Sequence, residues 1–168
     1  MTPLRVRLHR EYNRWYKWLL RWCWSIQGKD APRVYMFHSV VDTKEQVYSQ
    51  FAITKASFEQ FIVHLVKQGE KPMDAELLYK AIKHPNDYNH HYCITFDDIY
   101  DTVYTNAYPV LKKHNIPFVV FVTDELVGKV DPWSKMPMIT EEHLREMLTD
   151  PLCILASHGM EHKMFRDY

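Results

Sequence analysis

Two side-chain patterns in this 168-residue chain could do chemistry. The first is Asp97-Asp98, directly after the apolar run YCITF at 92–96. Inside a strand, adjacent carboxylates face opposite sides. At a turn they can converge, one ligating a metal and the other holding a water. Close together they repel unless a cation or a shared proton intervenes. The same pair could instead cap the helix that follows. The second pattern is His158-Gly159-Met160-Glu161-His162, just after the apolar run LCILA at 152–156. An H-x3-H spacing puts two imidazoles on one side of a helical turn, a frequent arrangement around Zn²⁺. With ten histidines in the chain, such a pair also arises by chance. Together the two patterns offer one carboxylate and two imidazoles. Three protein ligands with a position left for water belong to catalytic rather than closed structural zinc sites.

The elements around these residues alternate. An apolar strand is expected at 33–37 (RVYMF), then a helix over 55–68 capped by Thr54 and closed by Gly69. A brief strand at 71–73 precedes a helix over 75–83 capped by Asp74. After the loop 84–91, strand 92–96 leads into a helix over 100–114, in which Pro109 predicts a kink or a restart. The run PFVVFVT at 117–123 is continuous and β-branched, as in a strand buried on both faces. A loop at 124–139, a helix over 141–148 capped by Thr140, and the strand 152–156 complete the order. This is an α/β chain with about five parallel strands joined by right-handed crossovers. Ligand sites in such folds lie at the carboxyl ends of the strands, where both patterns fall.

The stretch ITFDDIYDTVYTNAYPVLKKHNIPFVVFVT at 94–123, followed by ASHGMEH at 156–162, resembles the polysaccharide deacetylase family, the NodB-homology or carbohydrate esterase family 4 domain. RVYMFHSV at 33–40 and FAITKASFEQFIVHLVKQG at 51–69 are similar to the lead-in of its exported and capsule-associated members, so the resemblance spans about 33–165. It implies a partial, distorted (β/α) barrel and a metal-dependent hydrolase that removes N-acetyl groups from an N-acetylated polysaccharide. Carried over residue by residue, Asp97 is the catalytic base, and Asp98, His158 and His162 hold a divalent metal. Zinc is the first expectation, with cobalt, manganese or iron as alternatives.

Three departures from the family pattern stand out. Ile99 occupies the place of a usual Gly after T-F-D-D, so the turn must differ or the backbone there must be ordinary. Gly159 replaces a Ser or Thr, which removes a hydroxyl that would brace the loop. The family's later Arg-x-Pro-Tyr, Asp/Trp and Leu-x-His segments do not occur before Tyr168. The expectation is a truncated chain or a fragment, with an open last strand. It would retain metal binding, while deacetylation by this chain alone would be weak or absent. A non-catalytic metal- or carbohydrate-binding remnant is the competing function. His38, at the end of the first strand, and Trp133, in the Pro-containing loop, are read as substrate-contact or supporting residues.

The chain divides into 1–29, a basic amphipathic helix with a linker, and 30–168, the deacetylase-like part. Leu4, Leu8, Tyr12, Trp15, Leu19, Trp22 and Ile26 share one helical face, and Arg7, Arg10, Arg14, Lys17 and Arg21 another. Such a helix suits peripheral contact with an anionic membrane, or docking on its own domain or a partner. Net charge is zero, which gives no basis for nucleic-acid binding. Nothing in the spacing sets an oligomeric state. Cys23, Cys93 and Cys153 are widely spaced and read as reduced thiols. No secretory signal or membrane-spanning run is visible, so a cytoplasmic or peripherally membrane-bound location is expected.

Overall fold

The computed structural model describes residues 31–46 and 52–160. The amphipathic helix expected at 4–26, Cys23 and His162 lie outside the described residues. The main sheet has five strands, all parallel: β1 (Arg33–Phe37), β4 (Lys71–Pro72), β5 (His91–Asp98), β6 (Phe118–Val122) and β7 (Cys153–Ser157). Their order is β1-β5-β6-β7, with β4 beside the start of β5. Among the described residues four α-helices connect them: α1 (Lys55–Lys67), α2 (Ala75–Lys83), α3 (Tyr108–Lys113) and α4 (Glu141–Leu148). This is the partial (β/α) arrangement expected from the alternation. A small parallel pair, β2 (Ser39–Val41) with β3 (Ala52–Thr54), was not foreseen, because three-residue strands carry no periodic signal.

The expected caps form. Thr54 Oγ1 accepts from the Ser57 amide at 3.2 Å, Asp74 Oδ1 from Leu77 at 2.8 Å, and Thr140 Oγ1 from His143 at 3.1 Å. Gly69, at φ 71°, ends α1 as a Schellman motif: its amide bonds Val66 O at 3.1 Å and that of Glu70 bonds Leu65 O at 3.1 Å. Asn115, at φ 54°, ends α3 the same way, with Ile116 N donating to Leu111 O at 3.0 Å. Phe58, Ile62 and Leu65 of α1, Ile94 and Phe96 of β5, and Phe118 and Val120 of β6 share the larger core. Cys93, Val119, Met73 and Ala81 form a second cluster. Both described cysteines are buried and free, and burial pushes the Cys93 thiol up to about 11 and that of Cys153 to about 12.

The helix after β5 explains its proline. A π-helical segment, Val103–Ala107, precedes α3, and the Tyr108 amide donates to Val103 O five residues back. The wider turn lies just before Pro109, which has no amide to donate. This helix then meets α4 and the turn after it along a polar seam that includes three contacts of one spacing. His143 Nδ1 lies 2.6 Å from Asp101 Oδ1, Tyr104 donates its hydroxyl to Glu146 Oε2 at 2.7 Å, and Tyr108 donates to Asp150 Oδ2 at 2.9 Å. Each contact joins residues 42 apart, so the two helices run side by side in one fixed register. The His143 ring also stacks on Tyr104, with centroids 4.1 Å apart. The first contact holds Asp101, three residues beyond Asp98.

β7 pairs with β6 alone among the described residues, and Leu155 on it is 51% exposed.

Candidate functional site

Because the strands are parallel, their carboxyl ends share one side of the sheet. The register sets Phe37 beside Phe96, Asp98 beside Val122, and Val122 beside Ser157. The next residues, His38 and His158, therefore emerge level with the Asp pair. His158 begins two strands away from Asp98, roughly 10 Å at about 4.8 Å per strand. It closes that gap across β6. Its amide donates to Val122 O at 2.9 Å, and its ring meets that of Phe121 edge-on at 6.5 Å. Its Nε2 ends 3.3 Å from Asp98 Oδ1. On the other side, His38 Nε2 stands 3.8 Å from Asp98 Oδ2. One carboxylate, with its side chain only 6% exposed, thus sits between two imidazoles.

The turn at this point is strained. β5 extends through Asp98, two residues further than its apolar run, and then breaks. Asp98 has φ 62° and Ile99 φ 50°. The Ile99 amide donates to Asp97 O at 2.7 Å, closing a tight turn centred on Asp98. An ordinary backbone at Ile99 was the alternative to a changed turn, and it is not found: a β-branched residue occupies the left-handed region. The loop after β6 holds it there. Ile139 N donates to Ile99 O at 3.1 Å, Asp101 N to Pro137 O at 3.1 Å, and Tyr100 bridges to Met138. Ile99 itself is fully buried. Strain of this kind persists only where the surroundings over-determine it.

At Gly159 the absent hydroxyl is accompanied by a backbone preference for glycine. Its φ is 95°, and a Cβ there would meet nothing within 4 Å, so backbone conformation rather than space favours glycine. The bracing hydroxyl comes from Ser157, whose Oγ accepts from the Gly159 amide at 3.2 Å. Gly159 O and Met160 O then receive the amides of Asp124 and Glu125 at 3.3 and 3.1 Å, which ties the His158 segment to the end of β6.

Asp97 differs electrostatically from its neighbour. Burial raises its carboxyl pKa above the ordinary range, and the Asp98 charge adds to this. His158 and His38 pull the other way without reversing the direction. A raised carboxylate is a stronger base when ionised. Its ionised fraction falls away at a higher pH than for an exposed aspartate, as pH drops through the raised pKa.

Asp97, Asp98, His158 and His38 are thus brought together from the ends of three strands. Trp133 is 70% exposed in the loop after β6. Among the described residues no cluster of three His, Cys, Asp or Glu is close enough to hold an ion. The donor types of Asp98 and His158 nonetheless fit one. With Zn–N and Zn–O bonds of about 2.0–2.2 Å, two tetrahedral ligands stand roughly 3.3–3.5 Å apart, and the observed separation is 3.3 Å. Sequence reasoning missed Tyr100 and Asp131: the Tyr100 hydroxyl donates to Asp131 Oδ2 at 3.0 Å and so ties the loop after β6 to the turn at Asp98. Their link crosses 31 residues and leaves no local signal.

The polysaccharide deacetylase profile matches residues 85–168. The chain belongs to the polysaccharide deacetylase family. Poly-beta-1,6-N-acetyl-D-glucosamine N-deacetylase of Staphylococcus aureus is 31% identical over 128 residues, covering 74% of this chain and 41% of that protein. Putative polysaccharide deacetylase YxkH of Bacillus subtilis is 29% identical over 134 residues, covering 77% and 42%. The chain therefore spans about two fifths of these relatives' length. Among solved structures, IcaB from Ammonifex degensii superposes with a TM-score of 0.67 at 29% identity, covering 77% of this chain and 53% of that one. De-N-acetylase from Aggregatibacter actinomycetemcomitans gives 0.60 at 26%, covering 77% and 55%. The fold of this deacetylase-family chain thus matches about half of each of these neighbours.

Proposed function

We propose that the strand-end cluster serves a metal-dependent hydrolase that removes N-acetyl groups from an N-acetylated polysaccharide. The 3.3 Å approach of His158 to Asp98, in a member of this family, is the observation that carries the reading. Asp98 and His158 would hold the divalent ion together with His162, four positions further along the sequence. Zinc suits this donor set best; cobalt, manganese and iron are compatible. When bound, the ion supplies positive charge that acidifies water and polarises an amide carbonyl.

The chain's own groups supply part of the rest, and the leaving amine must also take a proton from an acid. Asp97 takes the proton of the attacking water, and its raised pKa suits that task. His38, at 3.8 Å from Asp98, is too far for a direct hydrogen bond to it and is assigned as a substrate-contact or supporting residue. The polymer named for the S. aureus relative, poly-β-1,6-N-acetylglucosamine, is the first substrate to test. Acetate release from it by the zinc-loaded chain alone is expected to be weak. Asp97→Asn should lower release by about a hundredfold or more while zinc stays bound. Equal release by Asp97→Asn would remove Asp97 as the base. Glycan binding without any acetate would leave a carbohydrate-binding remnant.

A further inference from the structure

The loop after β6 carries a large aromatic side chain at its surface. Trp133 is 70% exposed, and Val130 in the same loop is 58% exposed. The backbone beneath Trp133 is nonetheless built rather than slack. Asp131 is 3% exposed. Its Oδ2 accepts from the Tyr100 hydroxyl at 3.0 Å and the Ser134 amide at 2.8 Å, and its Oδ1 accepts from the Trp133 amide at 3.4 Å. Its own amide donates to Met136 O at 2.9 Å, and its carbonyl accepts from Lys135 N at 3.0 Å. Burial alone would raise the Asp131 carboxyl pKa. The bonds from Ser134, Tyr100 and Trp133 outweigh it, and the net direction is down.

Position adds to construction. The loop leaves the carboxyl end of β6, beside the residue paired with Asp98. Tyr100, which grips Asp131, is two residues from Asp98. One buried carboxylate therefore ties the backbone of an exposed indole to the turn of the proposed site. A sugar ring has an apolar C–H face that packs on an indole plane. A platform held in place beforehand loses little entropy on contact.

The geometry points to Trp133 as a stacking platform for a pyranose unit of an N-acetylated glycan, next to the unit held at Asp98, with Asp131 as its positioning residue. This rests on the deacetylase reading.

The test is a titration of the full 168-residue chain with N-acetylglucosamine and with its β-1,6-linked oligomers, followed by calorimetry. Wild type should bind longer oligomers more tightly than the single sugar. Trp133→Ala should weaken oligomer binding by roughly five- to tenfold and leave single-sugar binding unchanged, and Trp133→Phe should restore most of the loss. Asp131→Asn, checked for folding by thermal melting, should lose part of the same gain. Trp133→Ala matching wild type on every oligomer overturns the platform and leaves the deacetylase reading intact. Asp131→Asn matching wild type overturns the positioning role. A wild type that binds no glycan removes the deacetylase reading and the platform with it.

Discussion

Asp98→Asn is expected to lower the affinity of this chain for zinc by about a hundredfold or more, since even losing a supporting residue behind a ligand typically costs 10–100-fold. Asparagine keeps the shape and one acceptor oxygen but removes the charge. That charge sits between two imidazoles, at 3.3 and 3.8 Å, in a side chain only 6% exposed. Water screens little there, so the carboxylate's attraction for a cation is close to its full local value. Competition with a chelator reads the affinity directly. Thermal melting reads it independently, because zinc at a hundred times its dissociation constant stabilises a folded chain by about 2.7 kcal/mol. Wild type should gain that stability and Asp98→Asn should not. Asp97→Asn should behave as wild type in both measurements. An unchanged zinc affinity in Asp98→Asn would take that residue out of the ligand set.

The second large effect is at Ile99. Related family members usually carry glycine here, so Ile99→Gly looks like a repair. The left-handed backbone costs an L-residue about 1–2 kcal/mol, and glycine would relieve it. Against this, Ile99 is fully buried. Truncating a buried isoleucine to alanine costs about 2–5 kcal/mol, and glycine removes one carbon more. Glycine also loses more chain entropy on folding, by roughly 0.5–1 kcal/mol relative to alanine. Packing therefore outweighs strain, and Ile99→Gly should destabilise the chain by about 1–4 kcal/mol. Urea denaturation measures it. A variant more stable than wild type would show that the left-handed turn, and not the buried side chain, dominates at this position.

The two cases show where sequence reading succeeds and where it stops. Strands and helix caps were legible because their signals are local. Thr54, Asp74 and Thr140 precede helices and cap them, and Gly69 closes α1. The levels of His38, Asp98 and His158 followed from parallel strands alone. The conformation of Ile99 was not legible. Its intrinsic preference is overruled by Ile139, Met138 and Pro137, which lie about forty positions along the chain. The backbone angle of Gly159 was not legible either, nor was the bracing contact of its amide to the Ser157 hydroxyl. The seam of Asp101, Tyr104 and Tyr108 against His143, Glu146 and Asp150 did leave a trace. Both sets repeat at three- and four-residue steps, the spacing of a single helix face. Pairing them requires knowing that the two helices lie side by side.

X-ray absorption at the zinc edge of the zinc-loaded chain tests the proposed site most directly. The account predicts two imidazole shells and oxygen scatterers from a carboxylate and water. His158→Ala and His162→Ala should each remove one imidazole. A zinc ion bound through sulfur, or one whose spectrum is unchanged by both substitutions, would contradict it.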